Sequence, residues 1–196
     1  MQNNSPFIVY LADIAAAAGG IFSYQKVLPI SEEISLDLVE IPTGTPLEID
    51  LQLQLISEGV LVQGSIKVEA RGKCARCLDP LQIFLDERVS EVIFTPEEIA
   101  RLLAEGDSEA QDFPAIQDGR VDLEPLLHDV VVLALPLRPL CRRDCPGLCP
   151  GCGEKWDDLP DSHHHEVLDP RFAVLEELRA QLQAEEAKET DSEDNA

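Results

Sequence analysis

Two short cysteine pairs, Cys74-Ala-Arg-Cys77 and Cys149-Pro-Gly-Cys152, constrain this chain more than any other feature. Two thiolates with two residues between them can bind one ion while the backbone turns tightly around it. Pro150 and Gly151 suit that turn, and Gly153 lets the backbone pass close to sulfur with no side chain in the way. Cys141 and Cys145 precede the second pair, and His163, His164 and His165 follow it. Four of the six cysteines and three of the four histidines thus fall between Leu140 and His165.

The compartment decides what that sulfur is for. The N-terminus has no positively charged start, and no apolar run approaches the roughly 20 residues needed to span a bilayer. The nearest candidate, Leu11 to Phe22, is short and interrupted by Asp13. The chain reads as cytoplasmic, with no membrane partner. In a reducing cytosol, six cysteines indicate metal rather than three disulfides.

Zinc takes four ligands in a tetrahedron, usually thiolate sulfur or imidazole nitrogen. One ligand set is Cys149, Cys152, His163 and His165, with the two histidines on one side of an extended segment and His164 pointing away. Cys74, Cys77, Cys141 and Cys145 then form a second site that pins a sheet to a C-terminal module. A rival scheme gathers Cys141, Cys145, Cys149 and Cys152 and leaves Cys74 and Cys77 as a free pair, with the histidines a solvated surface run. The first scheme is preferred because it uses every thiol and lets each Cys-x-x-Cys anchor its own site. One or two zinc ions are expected, in closed sites that are structural rather than catalytic. The alternative function is a thiol-based redox or metal-transfer protein using Cys74 and Cys77, because that spacing also lowers a thiol pKa. Against it, this pair lacks a strand leading into a helix.

At 196 residues and 44% hydrophobic, the chain can bury one core and carry a small module beside it. In Leu47-Glu-Ile-Asp-Leu-Gln-Leu-Gln-Leu55 apolar and polar residues alternate strictly, as a half-buried antiparallel strand requires. Phe7 to Leu11, Tyr24 to Ile30, Ile34 to Ile41, Val60 to Ala70 and Leu81 to Phe94 also read as strands, with Glu58-Gly59 a turn. Ala12 to Ala18 extends the first as a helical turn. Thr95-Pro-Glu-Glu98 starts a helix with a capping box, ending near Gly106. The acidic segment Glu105 to Gly119 reads as a flexible loop. Asp122 caps a helix from Leu123 to Leu135 whose apolar run suggests burial on nearly every side, with a strand as the rival. Asp169-Pro170 opens a last helix with Phe172, Leu175, Leu178 and Leu182 on one stripe. The expected fold is α+β: a curved antiparallel sheet with covering helices and a cysteine-rich, zinc-knuckle-like C-terminal module. Residues 1–136 form the sheet domain, 137–184 the Cys/His module with its helix, and 185–196 an acidic disordered tail.

Charge narrows the function classes. With 38 acidic and 15 basic residues, the formal net charge of −23 disfavours wrapping nucleic acid with the whole surface and suits a basic partner. Only 5% of residues are aromatic, which speaks against a base-stacking platform. Arg71, Lys73, Arg76, Arg138, Arg142 and Arg143 nevertheless crowd the cysteine pairs. They either compensate thiolate charge or form a small patch for phosphate. Asp122, Glu124 and Asp129 receive no acid–base role, since carboxylates are adjacent by chance in so acidic a chain. There is no phosphate-cradling glycine loop and no nucleophile elbow, so the chain does not read as an enzyme.

Several blocks occur here in a specific order: Cys74-Ala-Arg-Cys77-Leu78, Leu133-Ala-Leu135-Pro136 leading to Pro139-Leu-Cys141, Cys145-Pro-Gly-Leu-Cys149-Pro-Gly-Cys152-Gly153, and Asp169-Pro-Arg171. Together they resemble the YceD family, the large ribosomal RNA subunit accumulation proteins, and the three histidines before Asp169 resemble its actinobacterial branch. Other members place a Cys-x-Cys near there, which implies that His163 and His165 replace those ligands. Where relatives carry a basic, glycine-containing segment near the N-terminus, this chain has Ile14-Ala-Ala-Ala-Ala-Gly-Gly20. The resemblance implies a non-enzymatic ribosome-biogenesis factor that supports synthesis, processing or stability of large-subunit ribosomal RNA. Family genes often neighbour one for a large-subunit ribosomal protein. The implied partners are the large-subunit RNA precursor, a basic large-subunit ribosomal protein, or both, with no small-molecule substrate.

Overall fold

The alternating segment forms the strand it should and sits inside the sheet. In the computed structural model, which describes residues 5–165 and Leu175, β5 is Pro46–Leu55. Leu47, Ile49, Leu51 and Leu53 are buried, while Glu48, Asp50, Gln52 and Gln54 face water. Leu55, the last position of the alternation, is 41% exposed because the strand ends there. The chain divides into two compact units, Met1–Cys145 and Pro146–Ala196.

The first unit is a mixed α+β fold around a six-stranded antiparallel sheet. Its strands are β2 (Ile21–Pro29), β3 (Ile34–Leu36), β4 (Val39–Ile41), β5, β6 (Gly59–Lys73) and β7 (Pro80–Phe94). The order β2-β5-β6-β4-β3 is completed by β7, which pairs with β6 along its whole length. One edge of β6 is shared: Val60 to Lys67 pair with β5, and Arg71 and Gly72 pair with β4. A separate two-stranded sheet joins β1 (Ile8–Tyr10) to β8 (Arg120–Asp122). Ile14 of α1 (Leu11–Ala16), Leu127 and Val131 of α3 (Glu124–Ala134), and the inward residues of β5 and β6 form one core. Burying a side chain such as Leu51 or Ile66 contributes about 1.5–3 kcal/mol each. The long β6–β7 hairpin matters most for function, because residues 74–79 form its tip.

Five expectations need correction. Ile34 to Ile41 is two short strands folded on each other, Ile34 opposite Ile41, rather than one. The segment from Glu105 to Gly119 is packed: Ser108–Asp112 form a 3-10 turn, Ala110 and Ile116 are buried, and Phe113 stacks on Phe94 with ring centroids 5.3 Å apart. Two backbone hydrogen bonds, from Phe94 to the Pro114 carbonyl and from Ile116 to the Phe94 carbonyl, fasten it to β7. Only one face of α3 is buried, since Leu133 is 85% exposed. The capping box of α2 (Pro96–Ala104) is half made. The Thr95 hydroxyl accepts from the Glu98 N–H at 3.2 Å, but the Glu98 carboxylate is held by Arg101, and the Thr95 N–H donates to the Glu58 carbonyl. Asp122 accepts from the Glu124 N–H at 3.0 Å, but it stands one residue before the helix N-cap, Leu123, which has no side-chain cap. The predicted last helix and acidic tail lie outside the described residues, Leu175 excepted.

At Gly64 the backbone of β6 leaves no room for a side chain beside β5. The glycine's φ is +154°, and a Cβ there would lie 2.9 Å from the Leu51 Cα and collide with the Asp50 carbonyl. Gly64→Val is therefore expected to destabilise the fold by more than about 3 kcal/mol, read as a lower urea midpoint. An unchanged midpoint would show that the two strands can separate there without loss.

Candidate metal centres

The tip of the β6–β7 hairpin carries the first cysteine pair in a tight knuckle. The Leu78 N–H donates to the Cys74 carbonyl at 2.9 Å, and the Cys74 N–H donates to the Asp79 carbonyl at 2.8 Å. The turn closes because Leu78 adopts a left-handed backbone, φ +62°. The Ala75 N–H donates to the Pro139 carbonyl at 2.7 Å, and the Arg76 guanidinium donates to the Cys145 carbonyl at 2.7 Å. These bonds bring the segment after α3 against the knuckle, with the Cys145 N–H closing a turn on the Arg142 carbonyl.

The result is a four-sulfur cluster of Cys74, Cys77, Cys141 and Cys145, with all four Sγ atoms within 4.8 Å of one another. The Cys74–Cys145 separation is 3.8 Å and the Cys77–Cys141 separation 3.7 Å. A tetrahedron with metal–sulfur bonds of about 2.3 Å has edges of ~3.8 Å. Burial pushes the Cys74 thiol up, but N–H groups of Cys77, Cys141 and Arg76, together with the Cys77 thiol, outweigh it and hold Cys74 at about 6. The Asp79 backbone pulls Cys77 down, yet burial and the sulfurs of Cys74, Cys141 and Cys145 push it to about 12. Burial and the Cys145 thiol also push Cys141 up. One sulfur ionises readily and its neighbours resist, as like charges in a small volume must. A bound cation removes that conflict, since it binds all four as thiolates.

The second unit repeats the knuckle. The Gly153 N–H donates to the Cys149 carbonyl at 2.8 Å, and the Cys149 N–H donates to the Glu154 carbonyl at 2.7 Å. Gly153 takes the left-handed position, φ +77°, that Leu78 takes in the first knuckle. The His163 Nε2 lies 3.5 Å from the Cys149 sulfur and 3.6 Å from the Cys152 sulfur. The ligand atoms of Cys149, Cys152, His163 and His165 are all within 4.8 Å of one another. A tetrahedral edge between sulfur and nitrogen is ~3.5 Å for bonds of about 2.3 and 2.0 Å. Burial raises Cys149, but N–H groups of Cys152 and Gly151 and the Cys152 thiol bring it below the usual thiol range. His164 turns away, its Nδ1 3.1 Å from the Ser162 carbonyl oxygen. Both clusters can hold a metal ion.

The rival grouping of Cys141 and Cys145 with Cys149 and Cys152 is not the one this geometry assembles. Three features escaped sequence reading. Leu78 in a left-handed turn carries no signal of its own, because leucine rarely adopts it. Superposing Cys77-Leu78-Asp79 on Cys152-Gly153-Glu154 would have revealed it. The Arg76 contact with Cys145 depends on a fold that brings distant segments together. Trp156, edge-on to the His163 ring at 5.7 Å, likewise had no pattern to betray it. Of the basic residues, Arg76 is spent on the Cys145 carbonyl and Arg142 lies 3.5 Å from the Asp144 carboxylate. Arg71, Lys73, Arg138 and Arg143 are exposed.

These features define an antiparallel-sheet protein with two four-ligand clusters suited to metal. The chain belongs to the YceD family: the model described as large ribosomal RNA subunit accumulation protein YceD matches residues 62–179. It is similar to the uncharacterized protein Rv2926c of Mycobacterium tuberculosis, 36% identical over 174 residues, which span 89% of this chain and 82% of that protein. It is also similar to ML1660 of Mycobacterium leprae, 32% identical over 176 residues (90% and 79%). A shorter match joins it to YlbN of Bacillus subtilis, 28% identical over 76 residues (38% and 44%). No solved structure matches the chain at a significant level. Among the described residues, no helix is long and apolar enough to cross a membrane.

The two clusters are expected to load independently. A side chain at Gly151 would collide with the His165 ring, so Gly151→Ala should empty the second cluster and spare the first. Cobalt(II), followed by its sulfur-to-metal charge-transfer absorption, should saturate at two equivalents in the native chain and one in this variant. Loss of both equivalents, or of neither, would contradict separate centres.

Proposed function

We propose that this protein is a non-enzymatic, zinc-stabilised ribosome-biogenesis factor of the cytoplasm that supports synthesis, processing or stability of large-subunit ribosomal RNA. Family membership carries this reading. The matched region, residues 62–179, contains every one of the eight candidate ligands. Zinc suits both donor sets, since thiolate and imidazole ligands at tetrahedral spacing are its ordinary surroundings. Four protein ligands leave no open position for substrate, which supports a structural ion rather than a catalytic one. Burial of Cys74 and Cys77, 0% and 7% exposed, argues against the redox or metal-transfer alternative, because thiol exchange needs access.

Between the two kinds of partner, charge favours protein. A net charge of −23 attracts a basic ribosomal protein and repels RNA. Arg76 and Arg142, two of the candidates for a phosphate contact, already have partners within this chain.

Purification of the tagged protein from growing cells, with and without ribonuclease, tests this reading. Large-subunit ribosomal proteins are expected to co-purify and to remain after ribonuclease, and the isolated protein should hold two equivalents of zinc. Precursor RNA that takes all ribosomal proteins with it when digested would replace the protein partner with RNA. The Arg142→Glu, Arg143→Glu double variant should then abolish the association. Absence of both RNA and ribosomal proteins would overturn the ribosomal role.

A further inference from the structure

A groove of about 450 Å³ lies in the first unit where α3 begins. Its apolar lining comes from Phe7, Ile30, Ile34, Leu47 and Leu127. Its polar lining includes three carboxylates, Glu32, Asp122 and Glu124, and neither lysine nor arginine. Such a volume is in the range of sites that hold a bound group.

Two of the carboxylates, Asp122 and Glu124, are fixed by the fold. Asp122 accepts the Glu124 N–H at 3.0 Å, which sets it at the start of the helix. The Ser31 hydroxyl donates to the Glu124 carboxylate and ties the loop after β2 to the helix across the groove. The next residue of that loop, Glu32, is exposed. Two residues earlier, Ile30 is anchored from both sides, donating to the Thr45 carbonyl and accepting from the Gly44 N–H, each at 2.9 Å. Each carboxylate accepts up to about four hydrogen bonds, so the single bonds to Asp122 and Glu124 leave capacity for an incoming donor.

We infer that this groove binds a basic protein segment, seating one aliphatic side chain on the apolar lining and setting flanking lysine or arginine against Glu32, Asp122 and Glu124. Lysine and arginine suit the mixed lining, since their aliphatic stems cover apolar surface while the charged ends reach carboxylates. Glu124 is half-buried, which strengthens an ion pair there relative to open surface. The inference deepens the reading of the protein as a holder of basic ribosomal proteins, and it rests on that reading for the origin of the segment.

The test uses the intact zinc-loaded protein and a fluorescent synthetic peptide with one leucine flanked by arginine and lysine, followed by anisotropy. Glu32→Lys should weaken binding about tenfold, the scale expected for a close charge pair at a binding site. Glu91→Lys on β7 makes the same charge change on an exposed residue outside the groove and should weaken binding less than twofold. A peptide with glycine in place of leucine should also bind at least about fivefold more weakly. Equal losses from Glu32→Lys and Glu91→Lys would reduce the effect to net charge and overturn the groove. So would no peptide binding, equal binding of the leucine and glycine peptides, or self-association of the protein that Glu32→Lys abolishes. The pull-down separates the two levels. Ribosomal proteins that co-purify while the peptide results fail would leave the biogenesis reading standing and remove the groove from it. Peptide results that succeed without ribosomal proteins would do the reverse.

Discussion

Four sulfur atoms within 4.8 Å of one another form the constraint on which the far end of the first unit depends. They come from two places distant in sequence, the tip of the β6–β7 hairpin and the segment that follows α3. Without a cation, four thiolates this close would repel one another, so they cannot all ionise together. With one, the same four atoms become the strongest tie in the region. Structural zinc contributes on the order of 10–16 kcal/mol in small metal-binding peptides, comparable to the 5–15 kcal/mol net stability of a whole domain. The sheet has its own core of Leu51, Leu53, Val60, Val62 and Ile66, so it does not need that contribution to exist. The hairpin tip does, having otherwise a few hydrogen bonds such as those to Pro139 and Cys145.

The two knuckles solve one geometric problem with different residues. In each, the backbone after the second cysteine must turn left-handed so that N–H groups fold back toward the first. Glycine does this without strain at position 153, whereas leucine at position 78 carries a penalty on the order of 1 kcal/mol. A side chain kept there despite that penalty, and 54% exposed, has no packing reason that the fold supplies. The turn itself is over-determined by the hydrogen bonds of Cys74 and Ala75 and by the sulfur cluster, which is why it tolerates leucine.

The sheet was legible where one physical signal dominated. Strict alternation in Leu47 to Leu55 and the turn at Glu58-Gly59 placed β5 and the start of β6 to within a few residues. Cysteine spacing, with the rule that each pair anchors its own site, led to the two groupings that the fold assembles. What failed to read out was set by distant contacts. Glu105 to Gly119 looked loose because it lacks periodicity, yet Phe113, Pro114 and Ile116 are held by Phe94 at the end of β7. The apolar run of α3 suggested burial all round, but one sheet face can cover only one side of a helix, and Leu133 is left in water. Glu98 has the spacing of a capping box, but Arg101, one turn along, offers its carboxylate a charged partner at 2.9 Å.

Positive charge near the first centre is best understood from the centre itself. A divalent ion with four thiolates keeps a net charge of about −2, in a chain already carrying −23. Arg76 and Arg142 bind to groups beside the cysteines, a carbonyl of Cys145 and the carboxylate of Asp144. An exposed pair such as Lys67 with Asp86, both side chains more than half exposed, contributes little to stability. An arginine that donates to the backbone of a ligand residue does more, because it orients that ligand while offsetting the thiolate charge. Arg76 and Arg142 thus serve the centre from within the chain, whereas Arg71, Lys73, Arg138 and Arg143 stand exposed around it.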